Sequence, residues 1–473
     1  MKFTAAGDML IQRRVPKGYA GQKELSAFIK QGDARFFNLE TTLNKEGECC
    51  ANQFSGGTYI RCNPDVLEDA KDLGFNMTTF NNNHALDFFY TGLEATRVAL
   101  EESGLVHAGV GRNLAEASAP RYLETPNGRV ALIAICTSFN PSAMAGEQSP
   151  RVHGRPGVNG IRLNERVELP QADLDVIRRI AEQSNINVAR DIACKEGYCR
   201  PLPDGKAFLG GLKFVLGDTS RYVQECEEKD LERLKNAIYE AQLQADYIMI
   251  SVHCHQVGGK TKENVPQLLQ DLAHFCIDNG AHAVLGHGPH LLRPIEVYKD
   301  CPIFYSLGDF FLQLYQVELA PADFFDHQNL PATSTVHELL KKRSDDFTVG
   351  LMEDRRMYTS VVPLWETEGT KLKSMTLMPI EMMMDGTKAE QGLPRPAAGK
   401  EICDYLAGMC EPYGTKVALR EDGLISVTWS AENISAKTAD FLKNTLDKLL
   451  IYAIISRHLR CCCYSSVGRA RHW

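Results

Sequence analysis

The sequence predicts an α/β fold, a sheet layered by helices, on three observations. Through the first half of the chain, short apolar runs that read as buried strands alternate with amphipathic runs. Several of the apolar runs end on a nitrogen- or oxygen-bearing side chain: Asp8, Glu40, Asn83 with His84, His253 with His255, and His287 with His290. The composition, 44% hydrophobic and 24% charged over 473 residues, is that of a globular chain able to bury a large core.

The elements follow in order. The first strand runs through Phe3-Thr4-Ala5-Ala6 and delivers Gly7 and Asp8. A short helix is expected around residues 23–30, then a strand over 35–39 ahead of Glu40. Asn63-Pro64 supplies a cap and first turn for a helix reaching Leu73, because proline's missing N–H costs nothing there. A strand over 76–80 leads into Asn81-Asn82-Asn83-His84, with a helix from about 93 to 103 behind it. The strand over 130–135 is preceded by an Asn127-Gly128 turn. From about 165 to 218 the rhythm breaks. Residues 173–184 read as a helix, and the remainder, rich in Gly, Asp and Lys, reads as an insertion or lid of the kind that carries substrate contacts.

A helix over 229–245 is expected from Leu231, Leu234, Ala237, Ile238 and Ala241 at helical spacing. A strand over 247–252 and a helix over 266–279 precede the apolar run Ala283-Val284-Leu285. Shorter strands are expected at 295–298, 303–306, 347–351 and 359–364. Beyond Lys371 the pattern gives a strand over 375–380, a helix over 399–410 and a last amphipathic helix over 435–455. The run Met382-Met383-Met384 reads as packing. Residues 456–473 match nothing before them; they are expected to form a disordered tail and are a candidate for non-native sequence.

A formal net charge of -8 argues against a nucleic-acid partner, since a phosphate backbone needs a basic face. The apolar run at 449–455 is far short of the about 20 residues that span a bilayer, so no membrane span is expected. Met1-Lys2 leads directly into a strand rather than an apolar signal core, and a cytoplasmic protein is expected. The 15 cysteines do not have the spacing of a disulfide scaffold. Cys136 and Cys276 sit in expected buried elements, where a thiol packs as a small apolar group. Cys194 and Cys199 bracket a short loop that could hold zinc, but no second pair accompanies them beyond Cys461-Cys462-Cys463, and reduced thiols are expected.

The strongest local signal is Gly286-His287-Gly288-Pro289-His290, where glycine and proline pin a loop so that both rings can reach one point. Asp8 and Glu40 are hard anionic donors, and one of them could bridge two cations about 3.5–4 Å apart. Asn83 adds a neutral carbonyl oxygen, and His253, His287 and His290 add imidazole nitrogen. This mixed set suits divalent metal ions, two of them, of manganese, iron or zinc, which would activate a water for attack on phosphorus. His84, beside Asn83, is placed to donate a proton to the leaving oxygen. Taken singly, each has a plainer reading as a turn former, a surface carboxylate or a buried histidine; the coincidence of all of them carries the case.

The chain resembles the poly-γ-glutamate capsule synthesis (CapA/PgsA-type) family, itself similar to the calcineurin-like metallophosphoesterases. The resemblance rests on Ala6-Gly7-Asp8-Met9, Phe37-Asn38-Leu39-Glu40-Thr41 and Asn82-Asn83-His84-Ala85-Leu86-Asp87 with Gly92. It continues in Ser251-Val252-His253, Gly286 to His290, Pro294-Ile295-Glu296 and Tyr305-Ser306-Leu307-Gly308-Asp309-Phe310. It implies a four-layer α/β/β/α metallophosphoesterase-like sandwich over residues 1–365, with the insertion at about 165–218. Residues 366–455 would then add C-terminal strands and helices packed on that core. It implies a metal site of Asp8, Glu40, Asn83, His253, His287 and His290, with His84 as the catalytic histidine. The first motif here has Leu10 where such enzymes carry a histidine, and His253-Cys254-His255 stands where many relatives have His-Trp-Gly, so His255 is a candidate additional ligand. Arg155 and Arg61 are candidates for gripping an anionic substrate, since a guanidinium matches phosphate or carboxylate oxygens in a fork.

The expected function is that of a metal-dependent hydrolase acting on a phosphoester or related small anionic substrate. The alternatives are a non-hydrolytic accessory protein of capsule biosynthesis that binds poly-γ-glutamate, and a metal-dependent γ-glutamyl amidase.

Overall fold

Strand alternation sorts the core into layers, and the layers set where the strand ends meet. The computed structural model describes residues 1–350 and 353–430. Strands β1 (Lys2–Leu10), β2 (Ala34–Leu39), β3 (Met77–Thr79) and β4 (Val106–Ala108) lie parallel in one sheet. A second sheet holds β5 (Arg121–Thr125), β6 (Gly128–Cys136), β7 (Tyr247–His253), β8 (Ala283–His287), β9 (Ile295–Tyr298) and β10 (Cys301–Phe304), in the order β9-β10-β8-β7-β6-β5. The chain then returns to the first sheet. There β11 (Asp309–Leu312) runs parallel beside the end of β1, while β12 (Thr359–Glu368) pairs antiparallel with its beginning. The same sheet is extended by β13 (Lys371–Met382), β14 (Thr415–Leu419) and β15 (Ile425–Trp429).

Successive side chains of a strand point to opposite faces. Phe3, Ala5, Phe36 and Met77 therefore face Val130, Leu132, Met249 and Leu285 of the other sheet in a central core. Phe37 and Leu39 point the other way, onto the helices Gln22–Ile29, Val66–Leu73 and Phe89–Ser103. Ile133, Ile135, Ile248, Ile250 and Val284 point onto the helices Glu228–Gln242 and Gln267–Asp278. The result is the α/β/β/α order, with strands buried on both faces, which is why they read as continuous apolar runs.

Several expectations need correction. The first strand does not stop at Ala6 but continues through Asp8 to Leu10, with an irregular register between Ala5 and Asp8. Residues 347–350 turn rather than extend. They leave the helix Val336–Arg343, and Asp345, Asp346 and Phe347 have φ of 49, 58 and 61°, the left-handed region that closes a helix end. That helix carries a capping box between Thr335 and Glu338, a sequence signal the strand reading passed over.

The insertion is more ordered than a lid. Strands Leu163–Leu169, Lys206–Leu209, Leu212–Leu216 and Arg221–Cys226 make a four-stranded sheet, with helices Gln171–Ser184 and Val188–Lys195 and a small core of Leu174, Ala207 and Phe214. Cys194 and Cys199 are joined as a disulfide, so this pair is neither reduced nor a zinc clasp. The division expected after residue 365 falls inside β12. The helix expected at 435–455, the tail at 456–473 and Cys461-Cys462-Cys463 lie outside the described residues.

Candidate metal centre

Parallel register brings the donors together. Asp8 stands beside Asn38 of β2 and Asp309 of β11, and His253 stands beside His287. All lie where the carboxyl ends of strands from both sheets meet, the usual place for a ligand in a parallel α/β sheet. The sheets are tied there by Gly288, whose N–H donates to Asp8 Oδ2 at 2.8 Å. Gly288 has φ of 116°, and a Cβ on it would lie 3.2 Å from the His253 ring. The turn it makes carries His290, itself at φ 62°, back over Asp8 and Glu40.

Glu40 is the centre of the group. Its carboxylate is fully buried, and neither oxygen has a hydrogen-bond partner. Three imidazole nitrogens surround Oε1: His84 Nε2 at 3.9 Å, His253 Nε2 at 3.8 Å and His290 Nε2 at 3.8 Å. Around Asp8, Asn38 Nδ2 donates to Oδ1 at 2.6 Å, while His287 Nδ1 lies 3.5 Å from Oδ1 and His290 Nδ1 lies 3.9 Å from Oδ2. His253 Nε2 sits 2.6 Å from Asn83 Oδ1 and 3.0 Å from His255 Nε2; its Nδ1 is 2.8 Å from His287 Nδ1. Asp309 holds His290 Nδ1 at 2.9 Å through Oδ1, and its Oδ2 is buried without a partner. His84 turns Nδ1 to Asp87 at 2.7 Å, which leaves Nε2 facing Glu40.

These distances fit a divalent cation better than they fit hydrogen bonds. Separations of 3.8–3.9 Å are too long for an N–H···O bond, yet two donors each about 2.0–2.2 Å from one ion sit about 3–4 Å apart. Among the described residues three sets of donors have their ligand atoms within 4.8 Å of one another: Asp8, His253 and His287; Glu40, His253 and His255; Asp8, His290 and Asp309. Asp8 belongs to two sets, the arrangement expected of a carboxylate shared between adjacent ions, while His253, whose neutral ring offers one lone pair, could complete either of two.

The electrostatics agree. Burial, with Asp8 and Asp309 close by, pushes the Glu40 carboxyl well above the usual carboxylate range. Burial likewise pushes Asp309 up to about 6, against the pull of His290. Burial and the neighbouring imidazoles hold His253 well below its ordinary value, and burial holds His287 down to about 4. Without a cation, then, the imidazoles lend the carboxylates little positive charge, apart from His290, where Asp309 and Asp8 outweigh burial and raise the pKa. A divalent ion reverses this balance by favouring both the ionised acid and the neutral ring.

Every donor singled out in the sequence therefore converges: Asp8, Glu40, Asn83, His84, His253, His255, His287 and His290. The two arginines do not. Arg155 gives Nε and Nη2 to the Met144 carbonyl at 3.1 and 3.0 Å, and Arg61 gives Nη1 to the Asn44 carbonyl at 2.7 Å; each guanidinium is held by local backbone. Lys262 feels Asp309, although burial lowers its pKa. Asp309 and Asp87 were not singled out as site residues. Asp309 opens its strand instead of closing it, but Gly308-Asp309-Phe310 repeats the pattern Gly7-Asp8-Met9, and the two aspartates are register partners.

The family model described as bacterial capsule synthesis protein PGA_cap matches residues 2–313. The uncharacterized protein y4sH of Sinorhizobium fredii is 32% identical over 437 residues, 89% of this chain and 91% of its own length. The capsule biosynthesis protein CapA of Bacillus anthracis is 22% identical over 317 residues, 66% of this chain and 59% of its own. A protein of Mycobacterium tuberculosis with the name "Probable polyglutamine synthesis accessory protein" is 26% identical over 280 residues, 59% of this chain and 55% of its own.

Proposed function

Because the chain belongs to the bacterial capsule synthesis protein PGA_cap family, we propose that it is a metal-dependent hydrolase of small phosphoesters or related anionic esters. Asp8, Glu40, Asn83, His253, His287 and His290 would hold two divalent ions, of manganese, iron or zinc, with His255 and Asp309 as further ligands. One observation carries the reading: the buried Glu40 carboxylate has no hydrogen-bond donor and lies at cation-sharing distance from His253 Nε2 and His290 Nε2. Such ions supply Lewis-acid activation of a water when bound.

The chain's own residues do the rest. Asn38 and the Gly288 N–H aim the Asp8 carboxylate, so its remaining lone pairs point inward. Asp309 Oδ1 orients the His290 ring, and its Oδ2, which has no hydrogen-bond partner, would be the ligand atom. Asp87 fixes His84 so that Nε2 is the atom offered to substrate. In the reaction a water oxygen would bond to phosphorus and lose its proton to solvent, the bond from phosphorus to the leaving oxygen would break, and His84, when protonated on both nitrogens, would pass the Nε2 proton to that oxygen. Lys262, which feels Asp309, would meet a charged oxygen of the substrate.

Metal analysis of the purified protein, with a panel of phosphoesters, tests the reading. Expected are about two ions per chain and turnover that falls about 100-fold or more in Asp8→Asn and His84→Asn. Protein that takes up no manganese, iron or zinc, and hydrolyses nothing in their presence, overturns it. The second reading, an accessory role in polyglutamate synthesis, is favoured by the names of the Bacillus anthracis and Mycobacterium tuberculosis relatives. Binding of poly-γ-glutamate that survives Asp8→Ala and His287→Ala would support it over hydrolysis.

A further inference from the structure

Beside Asn83 and His255 a cleft of about 990 Å³ opens, between the segment that follows β6 and the root of the insertion. Its lining is mixed, with the apolar side chains of Phe139, Pro141, Met144, Ile161 and Leu163 among polar ones. Its charged lining residues are Arg162, Glu165 and Glu227, and no lysine lines it. Arg162 turns its fork away: Nε and Nη2 both clasp Asp230 at 2.9 Å, and the Asp230 carboxylate is fully buried. Arg233 leans on the same aspartate and spends Nη2 on the Gly160 carbonyl. Glu165 accepts from two neutral groups, the Tyr222 hydroxyl at 2.7 Å and Gln224 Nε2 at 2.6 Å. Glu227 is exposed. Two carboxylates and one guanidinium thus line the cleft, and that guanidinium commits Nε and Nη2 to Asp230.

A polyanion threading this cleft would meet carboxylates where it needs rows of cations. We infer that the cleft receives the remainder of a substrate whose anionic head lies at the metal centre, and that this remainder is an apolar-stemmed cationic amine. The inference rests on the proposed function for the position of the head. It narrows the substrate class to phosphoesters of amino alcohols and excludes poly-γ-glutamate from this cleft.

Calorimetric titration of the manganese-loaded protein tests it, with phosphocholine, phosphoglycolate, inorganic phosphate, choline and a γ-glutamate oligomer as ligands. Phosphocholine is expected to bind about tenfold more tightly than phosphoglycolate, a ratio set by the two glutamates. In the double variant Glu165→Gln with Glu227→Gln that ratio is expected to fall to about one. A ratio of two affinities in one sample does not depend on the fraction of chain that is folded. If phosphate binds but phosphocholine and phosphoglycolate bind alike, or the γ-glutamate oligomer binds more tightly than phosphocholine, the inference falls while the metal-centre reading stands. If phosphate fails to bind but choline binds and loses its affinity in the double variant, the functional reading falls and the cleft assignment stands. If none of these ligands binds, both fall.

Discussion

At the scale of single residues the protein is defined by buried groups that lack their ordinary partners. Glu40 is the extreme case, and it yields a prediction with an unusual sign. In metal-free protein the Glu40 carboxyl lies among Asp8 and Asp309 with no donor, so Glu40→Gln should stabilise the metal-free form by about 1–3 kcal/mol. The same change should abolish the rise in melting temperature that manganese or zinc gives the wild type, which differential scanning calorimetry with and without chelator checks. A second residue sets acid sensitivity away from the metal centre. His282 Nδ1 accepts the Ile248 N–H at 3.0 Å, so the ring must be neutral there, and burial lowers its pKa to about 4. The unfolded chain binds this proton near the ordinary value of about 6.5. Stability is therefore complete above that pH and is lost as pH falls from about 6.5 to about 4, by at most about 2 kcal/mol allowing for the ring's partial exposure. In His282→Asn, where the amide oxygen can accept the same N–H, urea melts at pH 7 and pH 4.5 should differ by correspondingly less. The donors themselves were legible in the sequence because they close apolar runs. Asp309 was not, because it precedes its run, and the fate of Arg61 and Arg155 was not, because it depends on which carbonyl lies nearby.

At the scale of elements, the critical contact is between β1 and the turn that enters β11. The Asp8 N–H donates to the Gly308 carbonyl at 2.9 Å, and a Cβ on Gly7 would fall 1.8 Å from that carbonyl oxygen. Backbone on both sides leaves nothing flexible to move. Gly7→Ala should thus cost on the order of 3 kcal/mol or more and shift Asp8 from its partners, seen as a lower urea midpoint together with reduced metal uptake. Core strands and helices were readable because both faces of each strand, or one stripe of each helix, are apolar. The insertion was not. Its strands, such as Leu163–Leu169 and Arg221–Cys226, are half-exposed and alternate charged with apolar residues around a core of only a few side chains. The turn at 347–350 was misread because an apolar pair, Phe347 and Val349, outweighed the capped helix just before it.

At the scale of the whole molecule, two sheets must stay in fixed relation for donors from both to share ions. The far end of the sandwich supplies part of that rigidity. Trp365 of β12 is fully buried, stacks on Phe3 with ring centres 5.2 Å apart and donates Nε1–H to the Tyr247 hydroxyl at 3.2 Å. It joins the first sheet to the second at the start of β1 and β7. Trp365→Ala should cost about 3–5 kcal/mol in chemical denaturation, while the protein that remains folded keeps its metal content. No helix among the described residues is long and apolar enough to cross a membrane. What the sequence by itself determined was the layering and the donor chemistry, since strand alternation and the residue that ends an apolar run are local properties. Only the tertiary structure decided which donors share an ion, that Asp309 joins them, and that Arg162 is turned from the cleft toward Asp230. Those outcomes depend on the register between segments up to hundreds of residues apart, and that register is set by how the two sheets pack rather than by any short stretch of chain.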